Sequence, residues 1–180
     1  MLKNSFYEHE LPLSNGKNLD LNTYQNRVLL LVNTASHCGF TPQYAALERF
    51  YQQYKDRGFE IIAVPSRDFA NQEFDNDAQT QQFCQINFGV SFPVVAQQHV
   101  ARRFGKDRAP VYQWIEQQVK TSPHFSGWLG LKPWVFASPR WNFQKYLINR
   151  KGELVDAFLS TTKPESSSLV SAIERALKSD

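Results

Sequence analysis

The feature that most constrains the fold is a succession of three patterns: an apolar run, a helix pattern and a second apolar run. A cysteine lies between the first apolar run and the helix pattern. Residues 28–32 are apolar at five successive positions, as in a strand that is buried on both faces. Thr41 and Pro42 predict the N-cap and the first residue of a helix, and residues 59–65 form the next strand pattern. This order predicts a right-handed βαβ unit with parallel strands, and it places Cys38 beside a helix N-terminus.

The rest of the chain also alternates between strand and helix patterns. Four strand patterns form two pairs, residues 6–13 with 17–21 and residues 143–149 with 153–158. The Asn-Gly pair at residues 15–16 favours an N-terminal hairpin, and the second pair predicts another hairpin. Helix patterns cover residues 75–88, 109–119 and 165–178. With a short strand expected around Val94, the fold class is α/β, a central mixed sheet flanked by helices.

Length, charge and hydropathy exclude several classes of protein. The chain has 180 residues and no repeat or linker, so we expect a single domain over residues 1–180. Its net charge of +3 is too small to indicate nucleic acid as a partner. No apolar run approaches the roughly 20 residues of a membrane span, and no signal peptide is visible. We therefore expect a cytoplasmic protein.

Cys38 has the setting of a nucleophile. A cysteine between a strand and a helix start meets unpaired N–H groups and the positive end of the helix dipole, which favour the thiolate. The local pattern is C-x-x-T, so a hydroxyl stands where a redox dithiol has its second sulfur. On position alone, Cys38 is either a reactive thiol or an inert core residue.

Several segments carry a resemblance to a known family. The run L-V-N-T-A-S-H-C-G-F-T-P-Q-Y at residues 31–44 resembles the active-site segment of the glutathione peroxidase family, in its cysteine-containing branch. Three further segments match in the family's order: Y-K-D-R-G-F at 54–59, Q-F-C-Q-I-N-F-G-V-S-F-P at 82–93 and W-N-F-Q-K-Y-L at 141–147. The resemblance covers nearly the whole chain and implies a thioredoxin-like fold with an additional N-terminal β-hairpin.

The resemblance implies a thiol peroxidase that reduces hydrogen peroxide or organic hydroperoxides without a cofactor. Cys38 as thiolate would attack the O–O bond and become a sulfenic acid. Trp141 and Asn142 match the family's residues whose side-chain N–H groups donate to the sulfur and to the developing oxyanion. Read without the resemblance, Trp141 packs at a core edge and Asn142 completes a turn.

The chain departs from the family at Asp68. The family has an active-site Gln in a segment resembling Pro-Cys-Asn-Gln-Phe, and this chain has P-S-R-D-F at residues 65–69. An ionised carboxylate donates no hydrogen bond and opposes a second negative charge nearby. Asp68 therefore either stays protonated and donates, turns away to pair with Arg67, or slows the reaction. For Asp68→Gln we expect faster reaction with peroxide, and Gln72 is a substitute donor only if the loop is rearranged.

Cys84 has two interpretations. As a lone helical cysteine it is a small buried apolar residue. In the family, the matching segment carries the resolving cysteine of thioredoxin-dependent members, which implies a Cys38–Cys84 disulfide during turnover. Because the two Cα atoms must approach within about 7 Å, the helix that bears Cys84 would have to unwind in part. Thioredoxin is then the implied reductant, and glutathione is the alternative.

Other functions compete with this one. With two cysteines and four histidines, and with His37 adjacent to Cys38, the chain lacks the ligand spacing of a metal site. A general thiol–disulfide oxidoreductase needs C-x-x-C, which is missing here. The remaining alternative is a catalytically weakened family member that acts as a redox sensor or binding protein, because Asp68 replaces the active-site Gln. His37 stands where the family often has Lys, and we interpret it as an exposed spacer.

Two further segments have open interpretations. A basic group either contacts an acidic reductant or forms a solvated face, and consists of Arg102, Arg103, Lys106 and Arg108. The expected long loop before Arg140 either lines the peroxide pocket, contacts another subunit or packs over the sheet edge, and its apolar residues are Phe125, Trp128, Trp134 and Phe136.

Overall fold

The structure is a computed structural model that describes residues 5–122, 125 and 133–179. The strands in this part of the chain are β1 (Leu11–Pro12), β2 (Asn18–Leu19), β3 (Val28–Thr34), β4 (Phe59–Pro65), β5 (Lys145–Ile148) and β6 (Leu154–Phe158). The α-helices are α1 (Gln43–Tyr54), α2 (Asp77–Phe88), α3 (Pro110–Thr121) and α4 (Ser167–Lys178). Most strand and helix patterns of the sequence coincide with these elements, and the largest differences lie at Phe6–Glu8 and around Val94.

The central sheet is mixed, as expected. Its strand order is β4-β3-β5-β6, and β1 with β2 forms a separate antiparallel pair. Strand β3 pairs in parallel with β4, Leu30 opposite Ile61, and antiparallel with β5, Leu30 opposite Leu147. The strand expected around Val94 is reduced to a single parallel bridge with Ala63. The βαβ unit built by β3, α1 and β4 thus lies at one edge of the sheet.

Helices cover both faces of this sheet, because successive strand residues point to opposite sides. On one side, Leu29 and Leu31 pack in a core that includes Trp114 of α3. On the other side, Leu30 and Val32 pack in a second core with residues of α1 and α4. Cys38 and Cys84 both belong to this second core, so the fold places the two thiols behind the same face of the sheet.

Several element boundaries differ from the sequence prediction. The N-terminal hairpin is confirmed, but its strands are short, and Phe6–Glu8 is a 3-10 helix capped by Ser5. The prediction that Thr41 caps α1 is wrong: Pro42 is the N-cap and makes no side-chain capping bond. Helix α2 begins after Asn76, whose side chain accepts a hydrogen bond from the N–H of Ala78 at 2.7 Å.

The expected loop before Arg140 is only partly described. Helix α3 continues to Thr121, and Pro133–Val135 forms a short 3-10 helix. The rings of Phe125 and Phe136 pack with their centroids 6.2 Å apart, and Phe136 is fully buried, which supports packing rather than a pocket wall for these two. Trp128 lies outside the described residues. In the described ranges, no helix is long and apolar enough to cross a membrane.

Candidate active site

Cys38 lies in the turn that joins β3 to α1. The side chain of Thr41 organises this turn, since its hydroxyl accepts a hydrogen bond from the Cys38 N–H at 3.0 Å and donates to the Ala35 carbonyl at 2.8 Å. This use of the hydroxyl explains why Thr41 does not cap α1. The N–H of Phe40 donates to Cys38 Sγ at 3.4 Å. A backbone donor directed at the sulfur favours negative charge there, and the residue is 7% exposed.

Gln72 connects the Cys38 turn to a second site segment. Its carbonyl accepts a hydrogen bond from the His37 N–H at 2.9 Å, and its side-chain Oε1 accepts from Asn142 Nδ2 at 3.1 Å. The preceding Ala70 and Asn71 have φ angles of 53° and 55°, in the left-handed region. Non-glycine residues adopt this region infrequently, so the surrounding contacts must hold the turn in this conformation. The sequence suggests Gln72 only as a substitute donor, and nothing in the sequence predicts its partner 70 residues away.

The turn that carries Trp141 and Asn142 is held from the sheet. Asn33 of β3 donates from Nδ2 to the Trp141 carbonyl at 2.9 Å, and its own carbonyl accepts from the Phe143 N–H at 2.6 Å. Phe143 has a φ of 64°, and Lys145 Nζ donates to its carbonyl at 2.7 Å. Burial lowers the pKa of Lys145 to about 7. Sequence reasoning missed both Asn33 and Lys145 as supports of this turn.

The two expected donors occupy different environments. Asn142 is fully buried, and its amide is bonded to Gln72. Trp141 is 38% exposed, with its ring 5.8 Å from that of Phe69. Among the described residues, the hydrogen bond to Cys38 Sγ comes from the Phe40 N–H rather than from either side chain. Their donation to a bound peroxide remains a prediction.

The Asp68 side chain points toward residues 99–101, which follow α2 in the chain. Its Oδ2 accepts hydrogen bonds from the N–H groups of Val100 at 2.6 Å and Ala101 at 2.7 Å, and its Oδ1 lies 2.7 Å from His99 Nδ1. Arg67 instead bonds to Asn71 and Asp75. Of the three outcomes considered for Asp68, it turns away, but its partners are residues 99–101 and not Arg67.

These bonds change what is expected of Asp68→Gln. The carboxylate uses one oxygen for two N–H groups and the other for His99, whose ring stacks on Phe104 at 3.8 Å. A longer amide with a single acceptor oxygen does not reproduce this arrangement. The faster reaction with peroxide expected from the sequence therefore loses its basis, and Asp68 acts here as a structural acceptor.

Cys84 lies in the middle of α2 and is 1% exposed. Burial raises the pKa of its thiol to about 11, although the nearby Tyr44 hydroxyl opposes this shift and the charge of Glu73 adds to it. Both cysteines are free thiols. In the closed helix, Cys84 is thus protonated and enclosed, so it needs a conformational change before it can react as a thiolate.

The basic group does not act as one surface. Arg108 is buried, with Glu116 at 2.9 Å, and Arg102 pairs with the same carboxylate at 3.0 Å. Arg103 lies over the ring of Phe104, whereas Lys106 lines a cavity of about 480 Å³. Arg108 is therefore neither solvated nor available to a partner. In the described part of the chain, no cluster of three or more His, Cys, Asp or Glu side chains could hold a metal ion.

Comparison with known proteins agrees with this geometry. The model of the family described as glutathione peroxidase matches residues 6–116. The Schizosaccharomyces pombe protein named glutathione peroxidase-like peroxiredoxin gpx1 is 42% identical over 160 residues, which cover 89% of this chain and 92% of that protein. A crystal structure described as Trgpx in apo form is 32% identical, with a TM-score of 0.70 and coverage of 98% of this chain and 97% of that one.

The fold extends to more distant proteins. A thioredoxin family protein from Chlorobium tepidum, a thiol:disulfide interchange protein, has a TM-score of 0.60 at 8% identity, over 97% of this chain and 98% of its own. At that identity the likeness concerns the fold alone. The expectation of a thioredoxin-like fold is confirmed by these neighbours together with the mixed sheet and its flanking helices.

Proposed function

This chain belongs to the glutathione peroxidase family, and we propose that it reduces hydroperoxides through Cys38, with Cys84 as the resolving cysteine and thioredoxin as the reductant. Membership of the family makes it an oxidoreductase that acts on peroxide. The observation that carries the assignment of residues is the Cys38 turn. There the sulfur lies at the carboxyl end of β3, receives the Phe40 N–H and shares a core with Cys84.

In the first step, the Cys38 thiolate attacks one oxygen of the hydroperoxide. A sulfur–oxygen bond forms, the O–O bond breaks, and the leaving oxygen takes up a proton and departs as water or an alcohol. Cys38 is oxidised by two electrons to the sulfenic acid while the peroxide is reduced. The indole N–H of Trp141 and the amide N–H of Asn142 are the donors that we assign to the oxygen that departs.

In the second step, the Cys84 thiolate attacks the sulfur of the sulfenic acid. A disulfide forms and the sulfenic oxygen leaves as water once it is protonated. Because Cys84 is enclosed in α2 and its pKa is raised to about 11, this step follows an opening of the helix that exposes the thiol. A dithiol reductant then exchanges with the disulfide and restores both thiols.

A dithiol protein such as thioredoxin fits this cycle better than glutathione. A second cysteine that lies in the same core as Cys38 allows the oxidised state to be stored as an intramolecular disulfide. The relative from Schizosaccharomyces pombe is itself named a peroxiredoxin. Glutathione would instead react directly with the sulfenic acid and would leave Cys84 without a function.

Coupled turnover separates these possibilities. Hydrogen peroxide consumption is measured with thioredoxin, thioredoxin reductase and NADPH, and in parallel with glutathione and its reductase. We expect turnover with thioredoxin, its loss in both Cys38→Ser and Cys84→Ser, and a single equivalent of peroxide consumed by Cys84→Ser. Turnover that survives in Cys84→Ser contradicts the resolving role. A wild-type protein that oxidises once and is not recycled by either reductant is a sensor and not an enzyme.

A further inference from the structure

The residue after Gln72 forms a contact that the peroxidase cycle above does not use. Glu73 is buried, and its Oε1 accepts hydrogen bonds from the Phe74 N–H at 2.9 Å and from Thr80 Oγ1 at 3.2 Å. Thr80 is also buried, and it lies one helical turn before Cys84 on α2. The carboxylate of the active-site loop thus holds the helix that encloses the second thiol.

The same loop contacts the Cys38 turn from its other end. The Gln72 carbonyl accepts the His37 N–H, and the His37 ring packs 4.4 Å from Phe74. Residues 72–74 therefore touch the peroxide-reacting turn on one side and α2 on the other. Through these contacts, residues 72–74 connect the Cys38 turn to α2.

Helix α2 is less buried than a core helix. Of its twelve residues, Thr80 and Cys84 are buried, Phe83 and Phe88 are half-buried against the same core, and Ile86 is 71% exposed. Hydrogen bonds add to this partial packing, from Thr80 to Glu73, from the Gln97 N–H to Asp77, and from Gln81 to the Val94 carbonyl. A helix attached in this way opens when a few such bonds break.

We propose that Glu73 is a positioning residue for the resolving step: its hydrogen bond to Thr80 keeps α2 closed and sets how fast Cys84 becomes available to the oxidised Cys38. The inference rests on the proposed roles of the two cysteines. It assigns to Glu73 no contact with peroxide.

The chemistry of the contact supports this role. The hydrogen bonds of Glu73 to Phe74 and Thr80 both fall on Oε1, and the Ser36 side chain also favours the carboxylate. Burial raises the pKa of Glu73, and the neighbouring charge contributes to the raised pKa of Cys84. Glu73 thereby keeps the helix closed and adds to the burial that keeps the Cys84 thiol protonated.

Alkylation of Cys84 in a Cys38→Ser background measures helix opening without any peroxide chemistry. We expect Thr80→Val, which removes the hydroxyl at nearly constant volume, to label roughly tenfold faster, because a hydrogen bond to a buried charged group is lost. Thr80→Ser restores the slow rate. Thr162→Val is the matched control, since its buried hydroxyl has no hydrogen-bond partner among the described residues, and we expect no change.

A double-mutant cycle assigns the effect to the contact itself. Glu73→Ala and Thr80→Val are each expected to accelerate labelling, and the double variant to be no faster than the faster single variant. Hydrogen exchange supplies the readout that general destabilisation would not give: we expect faster exchange in α2 and unchanged exchange in α1. Additive accelerations, or equal acceleration of both helices, overturn the proposal.

The reaction with peroxide provides a second test of the role of Glu73. With both cysteines present, we expect Thr80→Val to lose the first thiol to peroxide at the wild-type rate and to form the disulfide roughly tenfold faster. Wild-type rates of both labelling and disulfide formation in Thr80→Val contradict the role of Glu73. If labelling accelerates but no disulfide forms in any variant, Cys84 is not the resolving cysteine and that part of the proposed function is refuted. The conclusion that Glu73 keeps α2 closed is then still supported.

Discussion

Helices α1 and α2 each have twelve residues and pack against each other, yet they differ in how many of their side chains are buried. Helix α1 buries six residues, among them Tyr44, Leu47 and Phe50, in the core behind the sheet. Helix α2 buries two residues, packs Phe83 and Phe88 half-buried against the same core, and makes hydrogen bonds to the segments before and after it. The turn with Cys38 joins the first helix, and Cys84 lies in the second.

The difference suits the two chemical tasks that we propose for Cys38 and Cys84. A nucleophile that must meet peroxide in a fixed geometry needs a rigid support, which apolar burial in α1 provides. A resolving thiol must leave its enclosed position in every cycle, and a helix held by a few hydrogen bonds opens at a lower free energy than the whole domain. The comparison teaches that rigidity and release are distributed between neighbouring helices of one core.

Apolar truncation is expected to show the largest contrast between the helices. Leu47→Ala in α1 should lower the free energy of unfolding by about 2–5 kcal/mol, because it opens a cavity in a fully packed core. Ile86→Ala in α2 should change it by less than about 0.5 kcal/mol, since that side chain is exposed. Urea denaturation measures both. Similar losses at the two positions would mean that α2 is anchored by apolar packing after all.

The pH dependence of Cys84 gives the next contrast. In Cys38→Ser, alkylation should rise by roughly tenfold per pH unit past pH 10, because the thiolate is the reactive form and the folded thiol has a pKa of about 11. In urea the rate should level off near pH 8.5. The raised pKa also means that Cys84 contributes stability below its ordinary pKa and loses it as the pH rises toward 11. If the alkylation rate of the folded protein levels off near pH 8.5, the Cys84 thiol has an ordinary pKa and α2 is open.

Substitution of Asp68 tests whether the start of α2 depends on the segment that Asp68 holds. Asp68→Asn should lower the free energy of unfolding by about 1–3 kcal/mol, because one amide oxygen replaces a carboxylate that holds residues 99–101. Since Gln97 in that segment bonds to Asp77 of α2, hydrogen exchange should accelerate at the start of α2 and stay unchanged in α1. The exposed Asp75→Asn is the control. Unchanged stability in Asp68→Asn would refute its role as a structural acceptor.

The smallest expected effect concerns the cap of α2. Asn76→Ala removes the hydrogen bond to the Ala78 N–H and should cost about 1 kcal/mol, visible as faster exchange in the first turn of α2. Ser166→Ala is the matched control, because Ser166 is the N-cap of α4 but makes no side-chain capping bond. An equal effect of the two substitutions would show that the Asn76 side chain does not hold α2.

The parts of the fold that depend on local patterns were predictable from the sequence. Apolar runs and the left-handed Gly58 locate β3, α1 and β4. The end of α2 follows from Gly89, which adopts the left-handed conformation that the sequence predicts for a helix C-cap. The cap at Thr41 was mispredicted because its hydroxyl is used within the Cys38 turn, a choice that depends on the path of the backbone.

The sequence proposes the residues of the candidate site but not their connections. The motif proposes Cys38, Trp141 and Asn142, whereas hydrogen bonds between segments distant in sequence decide what each side chain contacts. Asp68 reaches residues 31 to 33 positions further along the chain, and Asn142 reaches Gln72 across 70 positions. Such partners follow from the tertiary fold, so composition and spacing do not reveal them.

The most direct test of the account follows free thiols after fully reduced protein is mixed with one equivalent of hydrogen peroxide. We expect two thiols to disappear in the wild type, with the first loss faster than the formation of the Cys38–Cys84 disulfide. Cys84→Ser should lose one thiol at the same initial rate, and Cys38→Ser should lose none. Thiol loss no faster than in free cysteine, or oxidation of Cys84 in Cys38→Ser at the wild-type rate, would contradict the assignment of the two cysteines.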